Sequence, residues 1–401
     1  MVHRRDILKL GAGGVAAICT PSLLHARVRP LIVGDINSYI PSINRFTIPY
    51  RKGWILAKEQ INLNGGVSGR PLEVFSQNDR GNLTEAVRAA KFLTETKKAD
   101  VLSGSFLSHI GLALADYAAQ NRIPFIAAEP LSDKITLEKG NPYTFRLRPS
   151  TYMQTRMLAK EAIKLPVTRW ACIAPNYEYG HSAVENFKTV IRAARPDVEF
   201  AETQWVDLFK IRPDDVIENL SNKNIDAIFN VTFSTDLEKL VKASEKTKFF
   251  QNKSVVSLLS GEPEYLKTLT SPVCDNWIVS GYPWEQIQTH AHRQFVQAYQ
   301  SRFAESPMLG SLVGYMTLTS IAQAFKNDQA PSSAEKFENL FFDSPLGTIH
   351  YRASDHQSSM GTFIGRLHHQ NGINRLSDWY YADGADFWPS AEVIAQRRNS
   401  E

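Results

Sequence analysis

Apolar positions along the first 147 residues follow two alternating spacings, and this alternation predicts an α/β lobe. Short apolar runs, typical of buried strands, lie at 31–33, 72–75, 101–102 and 123–128. Apolar residues spaced three to four apart, as on the buried face of a helix, lie at 53–62, 83–96 and 110–118. Strands that alternate with helices form parallel sheets covered on both faces.

The same alternation restarts after residue 147. The predicted strands of this second part lie at 170–173, 225–231, 254–259 and 277–279. The predicted helices lie at 184–194, 237–241, 292–303 and 309–325. Near the C-terminus, two strand-like segments flank Asn371-Gly372, a dipeptide typical of a tight β-hairpin turn. A second α/β lobe is therefore expected, and a cleft between two lobes is a usual place for a ligand.

The first 26 residues have the composition of an export signal. Arg4 and Arg5 form a twin-arginine pair, an apolar stretch rich in Gly and Ala follows, and Ala26 offers a small residue for cleavage. This pattern predicts export to the periplasm through a twin-arginine-type signal peptide. The mature chain keeps Cys172 and Cys274, and the sequence leaves open whether they form a disulfide.

Composition and motifs exclude several functions. Of the 401 residues, 43% are hydrophobic and 21% are charged, which is typical of a globular protein. The net charge is only +4, without a basic stripe interleaved with aromatic residues, so no nucleic-acid partner is expected. His290, His292, His368 and His369 lack further ligands at suitable spacing and are predicted to lie on the surface. We therefore expect no enzyme activity, no cofactor and no metal.

The most specific motif is the segment 53–72, a helix followed by the turn INLNGGVSGRPL. It resembles the first helix and turn of leucine/isoleucine/valine-type periplasmic binding proteins, the solute receptors of ABC importers. Further matches follow in order along nearly the whole mature chain, at 78–79, 104–108, 112–116, 123–126, 145–146, 179–180, 355–357 and 383–385.

This resemblance implies two flavodoxin-like α/β lobes, joined by three crossovers, that clamp a ligand between them. The first lobe is expected to contain residues 27–147 and 277–350, and the second 148–276 and 351–401. The implied function is capture of a small polar ligand, an amino acid or a related carboxylate or amide, by hinge closure of a monomer. The implied partner is an inner-membrane ABC permease. The alternative is a sensor that feeds a membrane receptor, and the sequence does not separate the two.

Ser108 is the leading candidate for ligand binding. It lies between a predicted strand and a predicted helix, where serine is a favourable N-cap and the free N–H groups attract a carboxylate. The resemblance also places a ligand-binding serine here. Glu129, in the loop after the fourth strand, departs from the small and hydroxyl residues typical of the family. It would accept an ammonium group and repel a carboxylate; the alternative is a loop carboxylate in solvent.

The resemblance suggests five further ligand-binding residues. Phe46 and Phe233 align with aromatic residues that pack on the ligand, and Tyr179 aligns with a tyrosine that closes over it. Tyr177 is a neighbour with a weaker claim. Glu262 lies near the position of a carboxylate that binds amines, although we favour exposure to solvent for this side chain.

Overall fold

The computed structural model describes residues 28–326 and 332–399, and the predicted signal peptide lies outside them. The first strands are β1 (Leu31–Asn37), β2 (Leu72–Asn78), β3 (Val101–Gly104), β4 (Phe125–Ala127) and β5 (Thr144–Arg146). The first helices are α1 (Asn44–Leu63), α2 (Leu83–Lys91), which continues as a π-helix over Phe92–Thr96, and α3 (Ser108–Asn121). The five strands form one parallel sheet in the order β2-β1-β3-β4-β5.

The middle of the chain repeats this alternation. Its helices are α4 (Thr151–Ala162), α5 (Glu178–Ala194), α6 (Pro213–Ser221), α7 (Ser234–Thr247) and α8 (Pro263–Leu266). Its strands are β6 (Arg169–Pro175), β7 (Glu199–Val206), β8 (Ala227–Asn230), β9 (Ser254–Gly261) and β10 (Ile278–Gly281). Neighbouring strands of this group pair in parallel.

The C-terminal part adds two long helices, two hairpins and a terminal helix. These are α9 (His290–Phe303), α10 (Leu309–Ala324), β11 (Phe341–Ser344), β12 (Gly347–His350), β13 (Thr362–Gln370), β14 (Ile373–Ala382) and α11 (Ala391–Arg398). Short 3₁₀ helices span Asp133–Ile135, Pro272–Cys274, Glu335–Phe337 and Gly384–Phe387. The larger sheet has the order β14-β13-β10-β9-β8-β6-β7, with β13 and β14 antiparallel.

The two larger sheets form the centres of two lobes. The first lobe is the five-stranded sheet with α1, α2 and α3, together with α9, α10 and the β11–β12 hairpin, which pack on α1 and on each other. The second lobe is the seven-stranded sheet with α4 to α8. The chain passes between the lobes after β5, after β10 and after β12, so the predicted pair of α/β lobes with three crossovers is confirmed. None of the helices within the described ranges is long and apolar enough to cross a bilayer.

Strand β10 lies in a different lobe from the one expected. Residues 277–279 are expected in the first lobe, but Ile278 pairs with Val256 of β9 and with Arg366 of β13 in the second sheet. The return to the first lobe therefore follows β10 and precedes α9. The apolar run identifies a strand, but the choice between two sheets depends on contacts distant in sequence.

Helix α1 begins nine residues earlier than predicted, and it packs closely on α10. Pro49 lies in the second turn of α1, where it cannot donate the usual backbone hydrogen bond to the Arg45 carbonyl, yet the helix continues through it. A Cβ on Gly53 would approach the Ser311 carbonyl oxygen to 1.9 Å, and one on Gly314 would approach that of Tyr50 to 2.0 Å. The two helix backbones can approach this closely because these positions lack side chains.

The hairpin predicted at Asn371-Gly372 is confirmed. The two residues connect β13 to β14 and have φ angles of 52° and 76°. Positive φ at both positions is the geometry of the type I′ turn, which Asn and Gly adopt most readily.

Candidate functional site

One cavity lies where loops at the carboxyl ends of strands from both sheets meet. Such crevices are the usual ligand sites of parallel α/β sheets. Its lining consists of Phe46, Phe106, Ser108, Glu129, Leu131, Arg148, Tyr177, Tyr179, Phe233, Leu259, Glu262 and Tyr265. The structure thus brings all seven residues singled out from the sequence to one place.

Ser108 joins two loops of the first lobe. Its hydroxyl oxygen accepts hydrogen bonds from the backbone N–H groups of Leu131 at 3.2 Å and Ser132 at 3.1 Å. Neither bond uses the hydroxyl hydrogen of Ser108. The expected N-cap role is wrong, because Leu107 is the N-cap and Ser108 is the first residue of α3. The serine oxygen instead fixes the loop that carries Glu129.

Three helices begin at or beside cavity residues. Helix α3 starts at Ser108, α5 starts at Glu178 between two lining tyrosines, and α7 starts directly after Phe233. The first turn of a helix leaves backbone N–H groups without intrahelical acceptors, and its dipole is positive at this end. These helix starts favour negative charge around the cavity, from protein carboxylates or from a ligand.

A buried cluster of charged groups forms the polar side of the cavity. Arg148 Nη2 donates to Glu262 Oε1 at 2.6 Å, with both side chains almost completely buried. Glu129 is 2% exposed, and its Oε2 has no hydrogen-bond partner among the described residues. The expected solvent exposure of Glu262, and the solvent alternative for Glu129, are therefore wrong. Both carboxyl groups line the cavity and are almost completely buried.

Burial controls the ionisation of these carboxyl groups. Burial raises the pKa of Glu262 to about 7, opposed by the Arg148 charge and reinforced by Glu264. The pKa of Glu129 is raised well above its usual value, first by burial and then by Glu264, Glu262 and Asp35, while Arg148 opposes the shift. Carboxyl groups removed from water and crowded together resist ionisation.

Glu264 is also buried, but its carboxylate has a partner in the first lobe. Its Oε1 accepts from the backbone N–H of Gly310 at 2.8 Å, at the start of α10. Burial raises the pKa of Glu264, whereas the backbone hydrogen bonds at this helix start lower it. A carboxylate of the second lobe thus stabilises a helix start of the first.

Aromatic rings form the apolar side of the cavity. Phe46 stacks on Phe106 with ring centroids 5.0 Å apart and contacts Tyr265 at 5.2 Å. The ring centroid of Phe233, from the second lobe, lies 6.2 Å from that of Phe106, 6.0 Å from that of Tyr179 and 6.3 Å from that of Tyr177. These rings offer flat apolar faces to the body of a ligand, and their electron-rich faces attract cations.

The cavity loops contain backbone conformations that are unusual for their residues. Leu259 and Ser105 have φ angles of 66° and 63°, in the left-handed region. Leu259 lines the cavity where the pairing of β9 with β10 is irregular. Such conformations cost of order 1–3 kcal/mol each and are concentrated at functional sites.

Contacts between the lobes surround the cavity. Arg45 of α1 forms an ion pair with Glu238 of α7, and the Ser234 hydroxyl donates to the Ser42 carbonyl. Glu178 of α5 accepts from the Ser132 hydroxyl at 2.7 Å. These bonds hold the two lobes together around the lining residues.

Five lining residues were not predicted: Phe106, Leu131, Arg148, Leu259 and Tyr265. Phe106 lies two positions before Ser108, and Tyr265 lies three positions after Glu262. Including the neighbouring residues of each predicted site residue would have identified both. Arg148 follows β5 by two positions, and a charged residue directly after a buried strand is the signal that could have identified it. Leu259 looks like an ordinary strand residue in the sequence.

Other candidate chemistry lies away from the cavity. Within residues 28–326 and 332–399, no cluster of three His, Cys, Asp or Glu side chains is arranged to hold a metal. His292 corrects the expectation of a surface residue, since it is buried and its Nε2 lies 2.7 Å from the Tyr282 hydroxyl. Cys172 and Cys274 are buried and are not bonded to each other, which answers the open question of a disulfide.

Comparison with known proteins agrees with this architecture. A sequence profile of the periplasmic binding protein family matches residues 44–372. An amino acid ABC transporter substrate-binding protein from Pseudomonas fluorescens Pf-5 has 19% identity and a TM-score of 0.80, over 92% of this chain and 99% of that one. A leucine-, isoleucine-, valine-, threonine- and alanine-binding protein from Brucella ovis, in a closed conformation, has 17% identity and a TM-score of 0.77, over 91% and 98%.

A third similar structure holds a different kind of ligand. It is a solute-binding protein of an ABC transporter from Rhodopseudomonas palustris BisB5 in complex with 3,4-dihydroxybenzoic acid. It has 19% identity and a TM-score of 0.78, over 88% of this chain and 98% of that one. At such identities the shared property is the fold.

Proposed function

The chain belongs to the periplasmic binding protein family, and from this premise we propose that it is the solute-binding receptor of an ABC importer. The observation that carries the proposal is the cavity in which loops from both lobes surround a buried polar cluster and a set of aromatic rings. The seven residues predicted from the sequence act in this proposal as ligand contacts. Binding provides the free energy that holds the lobes closed.

The proposed mechanism is closure about the three crossovers. In an open form, the lining residues of each lobe are accessible to a ligand in solution. Closure forms the contacts between lobes, such as those of Arg45 with Glu238 and of Ser132 with Glu178. An inner-membrane permease then distinguishes the closed surface from the open one. The observed affinity is lowered by the cost of populating the closed form.

The proposal places the mature protein in the periplasm as a monomer, after export through a twin-arginine-type signal. It also assigns binding without catalysis. Ser108 has the one aliphatic hydroxyl among the described lining residues, and its oxygen accepts two backbone hydrogen bonds. These bonds withdraw electron density from the oxygen and lower its nucleophilicity.

The ligand proposed here is an amino acid or a related small carboxylate or amide. Thermal denaturation of the mature chain against a panel of these compounds tests the function directly. A ligand at 100 times its Kd stabilises the native state by about 2.7 kcal/mol and visibly raises Tm. X-ray scattering with and without each hit measures the contraction that closure requires.

Two variants connect any hit to the cavity. Phe233→Ala removes an aromatic wall and is expected to weaken binding at least tenfold. Phe341→Ala, at a ring that is 57% exposed and outside the cavity lining, is the matched control and leaves affinity unchanged. If no compound of the panel raises Tm, or if hits bind both variants equally, the proposal is wrong.

A further inference from the structure

The cavity lining contains more carboxyl groups than cationic groups. Among the described residues that line it, Arg148 is the one cationic side chain, while Glu129 and Glu262 are carboxylic. Glu264 adds a third buried carboxyl group directly behind them and acts electrostatically on both. An ordinary anion would enter a site whose carboxyl groups already crowd each other.

The partners of these groups distinguish Glu129 from the rest. Arg148 is bound to Glu262 at 2.6 Å, so the charges of this pair largely cancel. Glu264 accepts from the Gly310 backbone. Among the described residues, Glu129 Oε2, Arg148 Nε and Glu264 Oε2 are all buried without a partner, but Arg148 and Glu264 each have another side-chain hydrogen bond, whereas Glu129 has none. A buried acceptor without a donor is costly, which makes a ligand N–H its natural partner.

We propose that Glu129 receives a positively charged nitrogen of the ligand, so that the protein selects small amines and zwitterions over anions of the same shape. This inference rests on the proposed function and names the chemical class that the site takes. Glu129 is then the specificity-determining residue. The Arg148–Glu262 pair is a positioning element beside it.

The rest of the cavity fits the apolar body of such a ligand. The rings of Phe46, Phe106 and Phe233 face the same space as Glu129. Aromatic faces stabilise a neighbouring cation as well as hydrocarbon. A carboxylate on a zwitterion has the start of α3 and the Ser108 hydroxyl hydrogen available.

Charge selection also predicts proton release. Glu129 faces Arg148, Glu262, Glu264 and Asp35, and burial with these neighbours raises its pKa well above the usual value. Glu129 therefore binds a proton more readily than an ordinary glutamate. A cationic ligand binds the carboxylate form, so ligand and proton compete for Glu129 and affinity rises with pH.

Two triplets of compounds test charge selection at constant carbon skeleton. The first is leucine, 3-methylbutylamine and 4-methylpentanoate; the second is phenylalanine, 2-phenylethylamine and 3-phenylpropanoate. Within each triplet the members carry both charges, only the ammonium, or only the carboxylate. Calorimetry with the mature protein is expected to detect binding of amines or zwitterions, at least tenfold tighter than the matched carboxylate. Affinity of the binding amine or zwitterion is expected to increase from pH 6 to pH 8.

Glu129→Gln keeps the shape of the side chain and removes its charge. We expect it to weaken amine and zwitterion binding by about 10- to 100-fold, the usual value of a charge-assisted hydrogen bond. Glu129→Asp, which keeps the charge, retains the preference over the carboxylate. Glu59→Gln, at a partly exposed carboxylate of α1 paired with Arg302, is the matched control and leaves all affinities unchanged. Thermal denaturation without ligand checks that each variant is folded.

The outcomes separate this inference from the proposed function. Tighter binding of a carboxylate than of its matched amine and zwitterion overturns the inference and leaves the receptor function in place. Unchanged amine or zwitterion affinity in Glu129→Gln does the same. If the protein binds none of the six compounds and nothing in the wider panel, the proposed function fails, and the inference fails with it. If the protein binds only compounds of the wider panel, the affinity of those compounds is compared between Glu129→Gln and the wild type. Equal affinities would overturn the inference.

Discussion

Ser108→Ala tests whether one serine oxygen holds the loop that carries Glu129. The substitution removes the acceptor of two buried backbone N–H groups, those of Leu131 and Ser132. A buried donor left unpaired costs about 1–3 kcal/mol. We therefore expect the free energy of unfolding to fall by about 2–6 kcal/mol in the absence of ligand, because two buried donors lose their acceptor.

Urea denaturation followed by tryptophan fluorescence measures this loss as a lower midpoint at constant m value. Ser244→Ala is the matched control. Ser244 is also fully buried, but its hydroxyl donates to the Leu240 carbonyl of its own helix, so its removal leaves no backbone N–H unpaired. The control is expected to change stability by less than about 1 kcal/mol.

Amide hydrogen exchange gives a local readout of the same substitution. Faster exchange at Leu131 and Ser132, with α7 unchanged, is expected in Ser108→Ala. A stability within about 0.5 kcal/mol of the wild type, together with unaltered exchange at these two amides, would refute the role assigned to the serine oxygen.

Three further predictions concern buried ionisable groups. Burial raises the pKa of Asp35 from 3.8 to about 7, so this carboxyl group binds a proton more tightly in the folded protein than in the unfolded one. The free energy of unfolding therefore falls as pH rises from about 4 to 7. Asp35→Asn should remove that loss, and urea denaturation at pH 4 and pH 8 should show a gain of up to about 4 kcal/mol relative to wild type at the higher pH. Arg148→Met should destabilise the protein by about 3–5 kcal/mol in urea denaturation at pH 8, whereas the double variant with Glu262→Leu should recover most of this loss; equal stabilities of the two would contradict the pairing. Cys172, whose thiol pKa is raised to about 12 by burial, should react with a thiol reagent only after denaturation, and rapid labelling of the native protein would contradict its burial.

Local sequence patterns were sufficient to predict most of the elements. The Asn371-Gly372 turn was predictable because its conformation depends on two residues alone. Helices such as α5 and α7 were predictable from one apolar face. The lobe to which β10 belongs was not, because a fully buried strand has the same apolar composition in either sheet. The start of α1 was missed because Pro49 indicates a helix boundary when no tertiary packing is considered.

The sequence predicted several of the residues that line the cavity, but not their hydrogen bonds or their burial. Ser108, Phe46 and Tyr179 were located because the resemblance orders the loops of both lobes. The cap expected at Ser108 was wrong because the backbone of a distant loop competes for its oxygen. The exposure expected for Glu262 was wrong because Arg148, 114 residues away, buries it through an ion pair. Partners so far apart in sequence leave no local signal.

The close crossing of α1 and α10 has a consequence for tolerance to mutation far from any ligand. Phe46 lies at one end of α1, and the Gly310 N–H that donates to Glu264 Oε1 lies at one end of α10. Gly53 and Gly314 set the separation of the two helices. A change in this separation would therefore move both the aromatic wall and the carboxylate cluster. Replacing either glycine by alanine is expected to push the helices apart. Substitutions at these two positions, although distant from the ligand, would therefore alter ligand recognition.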